Sequence, residues 1–339
     1  MKKHLVTLLK IAIPVAIIAW LLTTIEPDEW ARLRDQPKDW GLLSLAFLVA
    51  FMAVCVTFVR WYLLVRTLEI PFRLADAFRL GFLGYLLNFV SVGAVGGDLF
   101  KAFFIAHEQP GRRAEAVATV VVDRMIGLYA LLLVTSAAIF FIDIPNPTRA
   151  LAVICNMTYL ATGVGGIFVL MVLIPGFTRG SISEFLTGLP KVGHTLGRLI
   201  TSVRMYRKKY GTMLIIFVIS MSTHAAFGLA IFLIARAMLA DPPTLGEHII
   251  IVPLSNVAGA LPLTPAGLGT FEGAVETLYR YVPSISQDKG NGLAVAIAFR
   301  LMTIAIAGVG VIYYWISRRE VREVMDEAEH ARTESETPV

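Results

Sequence analysis

Several charged side chains lie within stretches of the sequence that are otherwise almost entirely apolar. The chain is 56% hydrophobic and only 16% charged. A charge near the centre of a bilayer costs roughly 2.5–3.5 kcal/mol on insertion scales, so such a residue usually faces a cavity or an opposite charge. Carboxylates and guanidinium groups that share a cavity can bind an anionic group or exchange a proton. The candidate cavity residues are Asp98, Lys101, Asp123, Arg124, Glu272, Glu276 and Arg300.

Most of these residues also have a structural explanation. Asp98 and Glu272 stand near the start of a short helix, where a carboxylate caps free N–H groups and stabilises the helix dipole. Lys101 can extend to the membrane surface, while Arg124 and Arg300 can hold neighbouring segments in place. The sequence leaves both explanations open.

For four residues of the candidate set, the sequence evidence for a cavity role is weaker. Asp123 and Glu276 are compatible with locations near the membrane surfaces. Asn88 and His224 are polar residues on apolar helices, where hydrogen bonds between helices are the expected role and cavity lining is the alternative. Because no P-loop, Rossmann, HExxH or CxxC motif is present and both cysteines, Cys55 and Cys155, fall inside apolar spans, the sequence predicts no metal and no other cofactor.

The elements that must position these side chains are membrane helices. The mean hydropathy is +0.70, and apolar stretches recur at roughly the 20 residues that a helix needs to cross a bilayer. The sequence therefore predicts an all-α polytopic membrane protein. Six full spans are expected near residues 5–25, 40–65, 115–142, 152–174, 211–239 and 292–316.

Two further apolar regions, 76–107 and 248–282, are broken in the middle. As helices, arms 76–90 and 98–107 would be about 22 and 15 Å long, too short for a hydrocarbon core of ~30 Å. We therefore expect each region to be a re-entrant helical hairpin, with a single span over 76–95 as the alternative.

Glycine and proline mark the two breaks. Such residues leave backbone N–H and C=O groups unpaired, which is tolerated at membrane depth only where protein or a water-filled cavity satisfies them. Two breaks in corresponding places imply a polar cavity between the halves of the chain. The break residues are Gly93, Gly96, Gly97, Pro262, Pro265, Gly267 and Gly269.

The two regions belong to similar halves, about 40–142 and 211–316. An offset of 172 places "SVGAVGGDLFKA" over "LTPAGLGTFEGA", and an offset of 176 sets Arg124 against Arg300. The order of span, broken hairpin and Arg-bearing span occurs twice in opposite orientation. This order is typical of inverted-repeat transporters, whose substrate site lies where the broken helices meet.

Lys and Arg residues predict the orientation. Most of the 30 fall on one side if both termini are cytoplasmic, including the basic run from Arg179 to Lys209. Segment 178–210 then reads either as an amphipathic helix on the inner leaflet or as an ordinary basic loop. The net charge of +5 is explained in this way, so no nucleic-acid partner is expected.

Residues 1–316 are expected to form one membrane domain, followed by a cytoplasmic tail, 317–339. The sequence contains no P-loop, GxSxG or HExxH motif. We therefore expect no enzyme activity.

The motifs "VSVGAVGGDLFKAFFI", "VATVVVDRMIGLYALL", "LPLTPAGLGTFEGAVETLY" and "AFRLMTIAIAGVGVIYY" resemble the lysylphosphatidylglycerol synthase transmembrane family, whose domain is flippase-like. The resemblance covers about residues 5–316. Because only the short tail follows, it implies a stand-alone member without the synthase domain. It also implies cavity roles for Asp98, Asp123, Arg124, Glu272 and Arg300. Gly93 is a departure, since the family often has proline there.

The expected function is lipid translocation between leaflets of a prokaryotic cytoplasmic membrane. Its partners would be membrane lipids (an anionic, aminoacylated or polyprenyl-linked lipid) and a lipid-synthesising enzyme. An ion-coupled transporter of small solutes and a non-transporting scaffold for a lipid-modifying enzyme are the alternatives. The sequence leaves open the lipid, the direction of transport, the coupling ion, the oligomeric state and which carboxylate pairs with which arginine.

Overall fold

The computed structural model of the chain describes residues 31, 35–90, 96–141, 149–173, 205–260, 264, 267–283 and 287–316. Within these ranges every regular element is helical, which confirms the predicted all-α fold. The predicted features that lie outside the described residues are the span 5–25, the break residues Gly93, Pro262 and Pro265, the stretch 178–204 and the tail 317–339.

Five helices are long and apolar enough to cross a membrane. They coincide with five of the six predicted spans, and many of their large apolar side chains, such as Leu160 and Ile312, are exposed as expected for contact with lipid. The protein is therefore an integral membrane protein. The five are α1 (Trp40–Thr67), α4 (Arg113–Phe141), α5 (Arg149–Leu173), α6 (Tyr210–Met238) and α9 (Asn291–Ile316).

The two broken regions form pairs of short helices. At 1.5 Å per residue their lengths run from about 18 to 26 Å, less than a hydrocarbon core of ~30 Å. That each pair enters and leaves the membrane on the same side remains a prediction. The first pair is α2 (Leu74–Val90) with α3 (Gly96–Glu108), and the second is α7 (Leu245–Ala260) with α8 (Thr270–Tyr281).

Glycines bring the two helices of each pair into close contact. A Cβ placed on Gly97 would lie 1.9 Å from the carbonyl oxygen of Gly84 on α2. In the second pair, Gly267 has a φ of +67°, and a Cβ there would lie 2.5 Å from the carbonyl oxygen of Gly259. Only glycine permits backbones to approach so closely, so both pairs depend on glycine at these positions.

The helices of the two halves interlock. α2 packs against α9, where a Cβ on Gly310 would lie 2.5 Å from the Phe82 carbonyl oxygen. α7 packs against α4 in turn. α1 and α6 run antiparallel as a closely packed pair, joined at one end by a hydrogen bond of 3.0 Å from Asp39 N–H to the Ala237 carbonyl. This arrangement surrounds a central space with helices from both halves.

Candidate functional site

A cavity of about 360 Å³ lies at the centre of this helix arrangement. Helices α1 to α4 and α6 to α9 all contribute side chains to its wall. It contains most of the candidate residues expected from the sequence. Those that line it are Asn88, Asp98, Lys101, Asp123, Arg124, His224 and Arg300.

The first charged cluster joins α3 to α4. Asp98, the third residue of α3, accepts a hydrogen bond from Nε of Arg124 on one carboxylate oxygen. Its other oxygen lies 2.8 Å from Nζ of Lys101, one helical turn further along. Gly97 N–H donates to Oδ1 of Asn88 at 2.9 Å, which ties the start of α3 to the end of α2. One carboxylate therefore serves two cations at the break.

The second charged cluster joins α8 to α9. Glu272, the third residue of α8, is 1% exposed. One of its oxygens lies 2.6 Å from Nε of Arg300, and the other accepts a hydrogen bond of 2.7 Å from Gly269 N–H. The side chain thus pairs with an arginine and also accepts from the backbone at the helix start, as the structural explanation expects. Glu272 is not among the residues that line the cavity, and its predicted cavity role stays a prediction.

Each of these arginines pairs with the carboxylate of its own half, a choice that the sequence left open. The offset of 172 sets Asp98 against Thr270, whereas the helix positions equate Asp98 with Glu272, since both are third residues. The register therefore differs by two residues from the sequence alignment. The similarity of the two clusters agrees with an inverted repeat, which remains a prediction.

A third ion pair, which the sequence reasoning missed, lies on the cavity wall. Arg60 of α1 binds Asp123 of α4 through Nε at 2.8 Å and through Nη2 at 3.0 Å. Its Nη1 donates to Oγ of Ser220 on α6 at 2.7 Å. Arg60 and Asp123 are each 7% exposed, so the ion pair is buried inside the protein. The sequence feature that could have identified this ion pair is Arg60 itself, an isolated arginine within an apolar span, where an unpaired charge is costly.

The remaining candidates have structural contacts. A ring nitrogen of His224, Nε2, lies 3.0 Å from the Gly127 carbonyl oxygen, the expected bond between helices. Glu276 lies away from the cavity lining and accepts hydrogen bonds from the N–H groups of Gly290 and Leu293 at the start of α9. Asn256 of α7 lines the cavity and was not singled out from the sequence.

In the part of the chain that the structure describes, no group of three or more His, Cys, Asp or Glu side chains is placed to hold a metal ion. The charged groups of the cavity are instead arranged as ion pairs with hydrogen bonds to the backbone. The arginine and lysine side chains of such ion pairs can form charge-assisted hydrogen bonds with another anionic group, such as a phosphate.

Helices of membrane length around a charged internal cavity define a polytopic integral membrane protein. The family model described as the lysylphosphatidylglycerol synthase TM region matches residues 7–310. The chain therefore belongs to this family, as its motifs indicated. Comparisons with curated proteins and with solved structures gave no match.

Proposed function

We propose that the protein is a lipid translocase, which moves the polar head of a phospholipid or lipid-linked precursor between leaflets through the central cavity. Membership of the lysylphosphatidylglycerol synthase TM family places the chain in lipid-related processes of the membrane. The proposal adds the transport step and the path. It also places the protein in the prokaryotic cytoplasmic membrane with both termini cytoplasmic, in agreement with the distribution of Lys and Arg.

The observation that carries the proposal is the charged cavity between the two pairs of short helices. Charged groups at this depth are costly unless a polar ligand or an opposite charge accompanies them. Asp98 and Glu272 both begin helices that are too short to cross the bilayer, and both face arginines on neighbouring spans. A lipid head could therefore exchange contacts with these ion pairs while its chains stay in the bilayer.

The two ends of this path differ in exposure. The Arg124 side chain is 43% exposed, whereas that of Arg300 is 15% exposed. Asp98 is likewise more accessible than Glu272, with side chains 13% and 1% exposed. We therefore place the entrance for the head at the cluster of the first helix pair. The cluster of the second pair would be reached after a rearrangement of the helices.

Blocking the cavity tests the proposal. In a background with Cys55→Ala and Cys155→Ala, a single cysteine is introduced by Asn256→Cys or by Val257→Cys. The two positions are adjacent on α7, but Asn256 lines the cavity and Val257 is 37% exposed outside it. A membrane-permeant thiol reagent is added at matched labelling, and headgroup movement is followed in proteoliposomes.

Loss of movement on labelling at position 256, with movement retained at position 257, would support the cavity as the path. Equal movement after both labels would place the path elsewhere. No movement of any lipid by the unlabelled protein would contradict translocation. The lipid panel includes anionic, zwitterionic, aminoacylated and polyprenyl-linked heads, so that a narrow substrate is not overlooked.

A further inference from the structure

The cavity stops close to the break of the second helix pair. Among the described residues of this pair, Asn256 and Gly259 line it on α7, and Phe271, the second residue of α8, lines it on the other helix. On α9 the lining begins at Phe299. The ends of α7 and α8 that lie away from the break therefore form no part of the described cavity wall.

An apolar plug, formed by Val252, Val275 and Ala296, closes this end of the cavity. Each of the three lies within one helical turn of a lining residue on its own helix, and each is at most 1% exposed. All three belong to one buried apolar cluster. Because a polar group enters apolar surroundings only at a high cost, a path through this end requires the helices around the plug to separate.

Two of these helices are fastened to each other. Glu272 of α8 binds Arg300 of α9. Further along α8, Glu276 accepts hydrogen bonds from the N–H groups of Gly290 and Leu293 at the start of α9. α8 and α9 therefore form one unit, and the joint around the plug that can open is the one between α7 and this unit.

A buried hydrogen bond crosses that joint. Nε2 of His248, the fourth residue of α7, lies 2.7 Å from the hydroxyl oxygen of Tyr279 on α8, and the two residues are 0% and 1% exposed. The other ring nitrogen, Nδ1, lies 2.8 Å from the Thr244 carbonyl oxygen. A carbonyl can only accept, so Nδ1 carries the proton and Nε2 accepts from the Tyr279 hydroxyl.

The start of α7 holds the His248 ring in place for this bond. Thr244 N–H donates to Oε2 of Glu247 at 2.7 Å, and Glu247 N–H donates to Oγ1 of Thr244 at 3.3 Å, which together form a capping box. The Phe232 ring packs edge-on against His248, with centroids 5.5 Å apart. With its ring fixed to the helix start, His248 reaches Tyr279 only while α7 lies against α8.

We infer that the hydrogen bond between His248 and Tyr279 is a latch, which holds α7 against α8 and keeps the cavity closed at the apolar plug. The inference rests on the proposed function and assigns a gate to the same path. Opening moves α7 about the break, where Gly267, with a φ of +67°, contacts Gly259. A few residues at the end of a helix can absorb the backbone change of such a hinge movement.

Access to a buried cysteine tests the latch separately from transport. In the background with Cys55→Ala and Cys155→Ala, a reporter is introduced by Ala296→Cys in the plug or by Ala77→Cys, which is equally buried but belongs to a different core cluster. Each reporter is combined with Tyr279→Phe or with Tyr281→Phe, a matched control on the same helix at a residue that is 45% exposed. The rate of labelling by a hydrophilic maleimide is measured on the purified protein in detergent.

Tyr279→Phe should raise the labelling rate at position 296 about tenfold, because the closed state is left with an unpaired buried nitrogen on His248. The rate at position 77 should change by less than about twofold, since the rest of the core stays closed. Tyr281→Phe should leave both rates unchanged. Adding His248→Phe to Tyr279→Phe should bring the rate at position 296 back towards that of the wild type, because both partners of the lost bond are then apolar.

An unchanged rate at position 296 in Tyr279→Phe would overturn the latch. An equal rise at both reporters would also overturn it, because the variant would then loosen the whole protein and not one joint. A double variant that labels faster than Tyr279→Phe alone would show that the two side chains are not coupled, which contradicts the inference.

The latch and the proposed function fail in distinguishable ways. Selective opening at position 296 in Tyr279→Phe, with no lipid movement by the wild type in proteoliposomes, would support the latch and contradict translocation. Lipid movement by the wild type, with an unchanged labelling rate in Tyr279→Phe, would support translocation and overturn the latch.

Discussion

Replacing Gly97 by alanine should separate the first pair of short helices. The new Cβ would lie 1.9 Å from the Gly84 carbonyl oxygen and 2.6 Å from its carbonyl carbon, whereas ordinary contact begins at 3.4 Å. Both neighbouring atoms belong to the backbone of α2, so no change of side-chain rotamer relieves the overlap. The helices must move apart by about 1.5 Å, the difference between the two distances.

The cost of this movement follows from known effects of overpacking, which lie at about 1–3 kcal/mol. Separation of α2 and α3 also lengthens the hydrogen bond of 2.9 Å from Gly97 N–H to Asn88, which adds about 0.5–1.5 kcal/mol. We therefore expect Gly97→Ala to lower the free energy of unfolding by about 1.5–4.5 kcal/mol. Gly84→Ala should cost less, because its Cβ would lie 3.0 Å from the nearest atom.

Unfolding of the purified protein in mixed micelles, followed by circular dichroism, measures these differences. Gly163→Ala is the control, since a Cβ there meets nothing within 4 Å and an alanine in a helix interior should stabilise by about 0.5–1 kcal/mol. If Gly97→Ala were as stable as the wild type while Gly163→Ala behaved as expected, the close contact between α2 and α3 would be refuted.

Two further predictions concern the buried carboxylates. Asp123→Asn should lower the free energy of unfolding by about 3–5 kcal/mol because Arg60 keeps a buried charge. Adding Arg60→Gln should recover part of that loss in the same unfolding assay. If the losses of the two single variants simply added in the double variant, the two side chains would not be coupled as an ion pair. Glu272→Gln should reduce lipid translocation about tenfold or more, whereas Glu276→Gln on the same helix should change it by less than about twofold because Glu276 contacts the start of α9. Similar losses of transport in both variants, at matched amounts of folded protein, would contradict a specific role for Glu272, because any buried carboxylate of α8 would then have the same effect.

Much of the architecture follows from local properties of the sequence. Apolar stretches of about 20 residues gave five of the described spans, since the bilayer sets their length. The short helices followed from glycine and proline inside apolar segments, which interrupt the backbone hydrogen bonds. Glu272 and Arg300 were recognised because a charge in an apolar segment is costly.

The partners of these charges depend on how distant helices pack, which local patterns do not encode. Arg60 and Ser220 are separated by 160 positions in the chain, yet Nη1 of Arg60 lies 2.7 Å from Oγ of Ser220. Glu276 could be assigned to the cavity from its spacing with Glu272, but the start of α9 takes up both of its oxygens. Asn256 is a polar residue on an apolar helix, as Asn88 is, and only the packing of α7 against the other helices shows that it lines the cavity.

The central claim is that the cavity is the path of the lipid head, and selective blocking tests it most directly. The measurement is headgroup movement in proteoliposomes before and after labelling of Asn256→Cys and Val257→Cys. We expect movement to fall about tenfold or more for the labelled cavity position and to persist for its exposed neighbour. Undiminished movement after complete labelling of Asn256→Cys would contradict the account.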